Sequence, residues 1–333
     1  MKTEIAPRPS HGHSARLEGV AAEIQHPALR DIAWLLHTPD IVTLPGTPGR
    51  PCLKALGWPN DEALTHWLAH QRPAVEALPW RTLRQSRMGH YHERLWHYVL
   101  DHAPHTHLLA RNVRVFQRRN TLGELDILYR SRFDPAPIHL EVAIKFYLGL
   151  ADGPGGEASL SRWIGPGGLD SLALKCHHTA RHQLPIARTP PAREALRHWL
   201  APRDSGEALA PLRSQFALPG VLFYPWNTRL TPPNGATATH RRGLWCYRDD
   251  WPSLAASMPP DTLAAWLEKP CWLAPPPLAR FRPLRDAVTA ALDRVIADNT
   301  PQQVMLHFPN HDPTQRVFIV PNGWPRQIPL PPR

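Results

Sequence analysis

Two stretches of the chain alternate apolar and charged residues in a way that can bring carboxylates together. Ile138, Leu140, Val142, Ile144 and Phe146 share one parity, and His139, Glu141, Ala143 and Lys145 share the other. An extended strand here carries one apolar face and one charged face. Gly123, Leu125, Ile127 and Tyr129 alternate with Glu124 and Asp126 in the same manner. If the two strands neighbour each other, Asp126 and Glu141 stand on a shared side. Facing carboxylates repel unless a cation lies between them. Hard oxygen donors suit Mg2+ or Mn2+, which activates water and stabilises charge on a phosphate, and a nearby ammonium completes the electrostatics. The plain alternative is a solvated sheet face with cross-strand ion pairs.

The elements around these strands decide between the two. Val20 to His37 carries Leu29, Ile32, Ala33, Leu35 and Leu36 at helical spacing, Glu62 to Gln71 predicts a short helix, and Pro79 introduces a longer one through Leu100. From His107 the period shifts toward two. Leu108 to Gln117, Leu122 to Tyr129 and Ile138 to Phe146 predict a three-strand meander, separated by turn clusters at Arg118–Asn120 and Asp134–Pro137. A Gly- and Pro-rich loop, Leu148 to Gly168, leads to a helix over Asp170 to Leu184, and prolines break Pro185 to Pro211. Later strands are expected at Pro219–Tyr224, Leu244–Tyr247, Val304–Phe308 and Arg316–Val320. Later helices are expected at Asp261–Glu268 and Leu284–Ala297, the latter with an apolar stripe of Leu284, Val288, Ala291, Leu292 and Ile296. Helix, three strands, helix, strand over Arg87 to Tyr224 is the order of an α/β sandwich around a mixed sheet.

The residues Arg30-Asp31-Ile32-Ala33-Trp34-Leu35-Leu36, Gly89-His90-Tyr91-His92-Glu93-Arg94-Leu95, Gly123-Glu124-Leu125-Asp126, His139 through Gly149, and Trp163-Ile164-Gly165-Pro166 followed by Asp170, Lys175 and Gln183-Leu184 resemble the PD-(D/E)XK nuclease superfamily. More closely, and over the full length, they resemble the DUF1853 family assigned to it. The resemblance implies a restriction-endonuclease-like α/β core with additional N- and C-terminal helical and strand elements. The implied organisation is a flexible tail over 1–18, an N-terminal helical region over 19–78, the core over 79–226 and a C-terminal extension over 227–333 packing on the core. It implies Asp126 and Glu141 as ligands of Mg2+ or Mn2+, Lys145 as the charge-stabilising or water-positioning lysine, and Glu93 as the acid of the first core helix. Lys175 and Gln183 face the site from the second. The superfamily's usual lysine falls two residues after the acid, about 6.6 Å along a strand, whereas Glu141 to Lys145 is roughly 13 Å. Ala143 occupies the usual position, and parity keeps Lys145 on the Glu141 face.

Charge agrees with a polyanionic partner: 38 Lys and Arg against 28 Asp and Glu leave the chain at +10. Only Lys2, Lys54, Lys145, Lys175 and Lys269 are lysines, so an ammonium inside a patterned segment stands out against the arginine background. Cys52, Cys176, Cys246 and Cys271 form no CxxC pair, which argues against a zinc ribbon or a disulfide framework. No stretch approaches the roughly 18 apolar residues of a membrane span, and Met1 to Val20 lacks the apolar core of a signal peptide. The expectation is therefore a cytoplasmic bacterial protein that binds DNA or RNA, with no membrane association.

Weaker motifs point elsewhere. Gly165-Pro166-Gly167-Gly168 lacks the GK[ST] ending of a nucleotide loop and reads as a lead-in to a helix capped by Asp170 or Ser171. His178 and His182, four apart without an intervening Glu, are a poor zinc pair. The expected function is metal-dependent phosphodiester hydrolysis. Its rival is a non-catalytic nucleic-acid-binding or protein-interaction module on a decayed nuclease fold, and a zinc enzyme built on the histidines is third.

Overall fold

A computed structural model describes residues 24–197, 199, 212–269, 271–309 and 314–332. The expected tail over 1–18, the start of the helix expected from Val20, and most of the segment between Arg197 and Leu212 lie outside them. The first described helix is Pro27–His37. Proline suits this start because an N1 residue has no intrahelical use for an N–H. The helix Asp61–His70 is capped by Asn60, whose side chain accepts from Ala63 N at 2.9 Å.

The single helix expected from Pro79 to Leu100 is two helices, Trp80–Arg84 and Met88–His102. Ser86 explains the break: its Oγ donates to the Leu83 carbonyl at 2.6 Å, closing the first helix with a side chain that competes with the backbone. Met88–His102 buries Tyr91, Leu95, Trp96 and Val99 in the main core, together with Ile127, Leu140 and Val142 from the sheet.

The meander is present as β1 (Thr106–Gln117), β2 (Asn120–Ser131) and β3 (Asp134–Val142), all antiparallel neighbours. β3 does not run on to Phe146. It stops at Val142, and the chain resumes at Lys145 as β4 (Lys145–Gly149). The parallel neighbour breaks at the same level, into β6 (Arg213–Ala217), which the sequence pattern had not suggested, and β7 (Gly220–Pro225). Pairing keeps one offset across the break, since Glu141 faces Phe216 and Lys145 faces Gly220. The two sheets therefore share one bent double ladder. Gly220 is required there, because a Cβ would lie 1.8 Å from the Lys145 carbonyl oxygen.

A brace from the N-terminal region holds the bend. Asp40 Oδ1 accepts from Leu218 N at 2.8 Å, and Ile41 N donates to the Leu218 carbonyl at 2.9 Å. Arg50 stands with Nε 3.7 Å from Asp40 Oδ1 and donates to the carbonyls of Leu35 and Thr38.

Beyond β7 the sheet continues through β8 (Arg241–Tyr247), β12 (Gln315–Val320), β11 (Gln302–His307), β9 (Leu263–Leu267) and β10 (Arg282–Pro283). β5 (Trp163–Ile164) flanks β4 on the other side. Asp261–Glu268, expected as a helix, contains β9. Its run Leu-Ala-Ala-Trp-Leu sits between β10 and β11, and an apolar run without alternation suits a strand inside a sheet as well as a short helix. The helix Leu284–Asp298 covers β9 and β11 as expected of a docking helix. Its buried stripe is Val288, Ala291 and Val295, while Ile296 is 60% exposed. The architecture is mixed α/β, with two mixed sheets and helices packed on them.

Candidate active site

β2 and β3 place two acids opposite each other. Pairing of Leu128 with His139 and of Ile127 with Leu140 runs on to Asp126 beside Glu141. Asp126 Oδ2 accepts from Val142 N at 3.0 Å, so the carboxylate takes over a ladder bond where regular pairing ends. The two carboxyl groups face each other across the strand pair, and each feels the other. Burial and the Asp126 charge push Glu141 well above the usual carboxylate range. Burial pushes Asp126 up to about 6; the Val142 N–H and the Lys175 charge oppose this, and Glu93 adds to it. Retaining a proton is the response expected of two desolvated acids in contact.

The second helical segment supplies the cation. Ser171 caps Leu172–His178 by accepting from Leu174 N at 3.2 Å, so the Gly-rich loop is a helix lead-in. The helix then widens into a π turn over Thr179–Gln183 and continues as Leu184–Ile186. Such turns rotate side chains out of the regular helical sequence of directions. Here Gln183 bridges the acid and the ammonium: its Nε2 donates to Glu141 Oε1, and its Oε1 accepts from Lys175 Nζ at 2.9 Å and from Thr179 Oγ1 at 2.8 Å. Lys175 Nζ is 3.6 Å from Glu141 Oε1 and 5.6 Å from the Phe216 ring centre. Burial lowers the Lys175 pKa, and the Glu141 charge opposes that shift.

Lys145 points to a different partner. Its ammonium pairs with Asp170 Oδ2, which also accepts from Tyr147 OH at 3.1 Å. Counting parity from Glu141 to Lys145 assumes one unbroken strand, and the break at Ala143 and Ile144 removes that assumption. Glu93, on Met88–His102, is a quarter exposed and lies at the rim, 4.0 Å from His90 Nδ1; its charge is felt at Asp126. Asp126, Glu141, Lys175 and Gln183 thus meet, Glu93 borders them, and Lys145 belongs to the adjoining Asp170 cluster.

Sequence reasoning missed His139, Ser214 and Thr179. His139 is fully buried, with Nδ1 3.3 Å from Ser214 Oγ and Nε2 3.9 Å from Glu141 Oε2. Burial drops its pKa to about 4, so the ring is neutral at ordinary pH. Its parity with Glu141 was the available signal. Neither His139 Nε2 nor Glu141 Oε2 has a hydrogen-bond partner among the described residues. A buried carboxylate oxygen without a donor, beside a second acid, is a donor set that a divalent cation fits. Among the described residues no group of three or more His, Cys, Asp or Glu side chains is placed to hold a metal ion.

The family model described as a domain of unknown function, DUF1853, matches residues 30–320. No curated protein and no solved structure matches the chain. Among the described residues no helix is long and apolar enough to cross a membrane.

Proposed function

The chain belongs to the DUF1853 family, and from the acid pair and ammonium that this family's segments assemble we propose a metal-dependent phosphodiesterase of the PD-(D/E)XK type acting on nucleic acid. The observation that carries the reading is the buried Glu141 carboxylate, set between Asp126 and Lys175 and fixed by Gln183. In support, helix Met88–His102, the meander β1–β3, the helical segment Leu172–Ile186 and the strands β6 and β7 occur in the order expected of a restriction-endonuclease-like core, with β4, β5 and helix Pro190–Leu196 inserted among them.

In this reading Asp126 and Glu141 hold Mg2+ or Mn2+, which when bound lowers the pKa of water and neutralises phosphate charge. Lys175 then does the work first assigned to Lys145: its ammonium faces the charge that develops on the phosphate, and its low-dielectric surroundings strengthen that interaction. Gln183 holds the Lys175 and Glu141 head groups at fixed separation, and Glu93 at the rim is placed to orient water. Free Cys52, Cys176, Cys246 and Cys271 and the net charge of +10 accord with a reducing cytoplasm and a nucleic-acid partner.

The rival reading, a binding module whose metal site has decayed, is favoured by one observation: Ala143 stands where the superfamily's lysine usually does, and Lys145 is turned to Asp170. Calorimetric titration of Mn2+ and Mg2+ into wild type and an Asp126→Ala/Glu141→Ala variant separates the two, followed by cleavage assays on single-stranded, duplex and branched substrates. Metal binding lost in the variant, with metal-dependent cleavage by wild type alone, supports the phosphodiesterase. No metal binding by either protein, with nucleic-acid affinity intact, overturns it in favour of the module.

A further inference from the structure

The turn joining β1 and β2 carries a surface that the acid pair does not use. All seven residues from Phe116 to Leu122 are exposed, Phe116 by 51% and Leu122 by 39%. Below them Val115 and Leu125 are fully buried, so the tip stands out from a packed base. A register shift between Val115 and Phe116 bends it. Arg118, at φ 56°, and Arg119 form the turn itself, and neither has an ion-pair partner among the described residues. From Thr106 to Glu124 the ribbon carries four arginines, 111, 114, 118 and 119, against a single carboxylate, Glu124. That carboxylate is already engaged by Arg114 at 3.6 Å and Asn112 at 2.8 Å.

The tip is also tied to the site. Gly123 φ is 156°, and a Cβ there would lie 2.4 Å from Ile186 Cδ1. The ribbon therefore rests on the same helical segment that presents Lys175 and Gln183. Seven residues separate Arg119 from Asp126 along β2, about 23 Å at the rise of a strand. That length spans roughly seven base steps of a duplex.

We propose that the β1–β2 tip is a finger for duplex nucleic acid. Arg118 and Arg119 take phosphates across a groove, and Phe116 and Leu122 press against base edges about seven base pairs from the acid pair. A two-stranded ribbon fits a groove, and apolar side chains at such a tip gain by contact with bases. The unpaired guanidinium groups select a polyanion over an apolar protein face. Where the finger lies relative to the cut rests on the phosphodiesterase reading; its contribution to affinity does not.

The test is fluorescence anisotropy with the full chain in EDTA. The probes are a duplex of about 30 base pairs, roughly three helical turns, and a single strand of the same length, titrated between about 50 and 200 mM salt. Arg118→Ala/Arg119→Ala is expected to weaken duplex binding about tenfold or more and to lower the log–log salt slope by about two. Phe116→Ser/Leu122→Ser is expected to weaken it about fivefold with the slope unchanged. Arg280→Ala/Arg285→Ala, removing the same charge from the far end of the sheet, is expected to leave it within about twofold. All these positions are exposed, so thermal midpoints stay near wild type, and the single Arg119→Glu exchange repeats the test with the least disturbance.

Duplex affinity unchanged in both tip variants, an equal loss in the Arg280/Arg285 control, or equal losses on duplex and single strand would each overturn the finger. So would failure of wild type to bind the duplex. Tip-dependent duplex binding by a wild type that shows no metal-dependent cleavage keeps the finger and removes the phosphodiesterase.

Discussion

Lys175 Nζ lies 3.6 Å from Glu141 Oε1, and the Gln183 amide bonds to both side chains. Phe216, Asp126 and Thr179 border the pair. If this ammonium stabilises the reacting phosphate, Lys175→Met reduces cleavage by about a hundredfold or more, the range found when one electrostatic donor is removed. Lys175→Arg does not restore it, because a planar guanidinium cannot occupy the same point. Lys145→Met, acting on the Asp170 pair, costs less than about tenfold. Single-turnover rates at saturating metal distinguish these outcomes.

Without metal, the acid pair is a source of instability. The folded state holds its protons more tightly than the unfolded chain, with Asp126 at about 6 against an unfolded value near 3.9. Folded protein thus binds the excess proton, and stability falls as pH climbs from near 4 through 6. Asp126→Asn keeps the shape and the Glu141–Lys175 pair, removes the second acid and raises stability in EDTA at pH 7 by about 2 kcal/mol. The same exchange abolishes any rise in thermal midpoint on adding Mn2+. Melting curves at several pH values, with and without metal, measure both effects.

Buried imidazoles give the opposite slope. His97 is buried in the helix Met88–His102 with neither ring nitrogen bonded among the described residues, and burial drops its pKa to about 4. The unfolded chain takes up a proton near 6.5 that the folded chain refuses, so stability is complete above 6.5 and is lost as pH falls toward 4. His97→Leu is expected to remove up to about 3 kcal/mol of that acid dependence and to leave neutral-pH stability unchanged or higher. Denaturant midpoints at pH 4.5 and 7.5 provide the comparison.

The brace at the bent ladder is a largely buried pair, its side chains 13% and 15% exposed, and breaking one partner leaves the other charge uncompensated. Asp40→Ala removes the acceptor of Leu218 N and the counter-charge of Arg50, which keeps only the Leu35 and Thr38 carbonyls. The expected loss is about 3 to 5 kcal/mol, read from the shift of the urea midpoint at constant slope. Metal affinity falls with it if the bend positions Glu141.

Alternation made the meander, the facing acids and the capped helix after them legible, because a period of two or 3.6 is a local property of side chains. Lys175 and Gln183 were legible as members of the second helix, and its cap as either Asp170 or Ser171, of which the structure uses Ser171. Lys145 was not: nothing in Ala143-Ile144 announces a strand break, since the break is imposed by Pro219, which lacks an N–H, and by the Asp40 brace some hundred residues upstream. β9 escaped because both neighbours that make it a strand, β10 and β11, come later in the chain. β6 follows a stretch so rich in Pro and Arg that its own five residues gave no period to count.

The Asp40 brace bears on how small a working fragment can be made. An expression fragment beginning at residue 79 would keep every acid and lysine of the site, yet it would omit Asp40, Ile41 and Arg50, leaving the Leu218 amide without its acceptor. It would also omit Asp31, whose carboxylate accepts from Tyr91 OH at 2.7 Å and from Ala274 N at 3.1 Å, joining the first described helix to both Met88–His102 and the C-terminal third. Cutting the chain to the elements that carry the acid pair and Lys175 would therefore discard the parts that keep those elements in register, and the shortest autonomous fragment should begin ahead of Asp31.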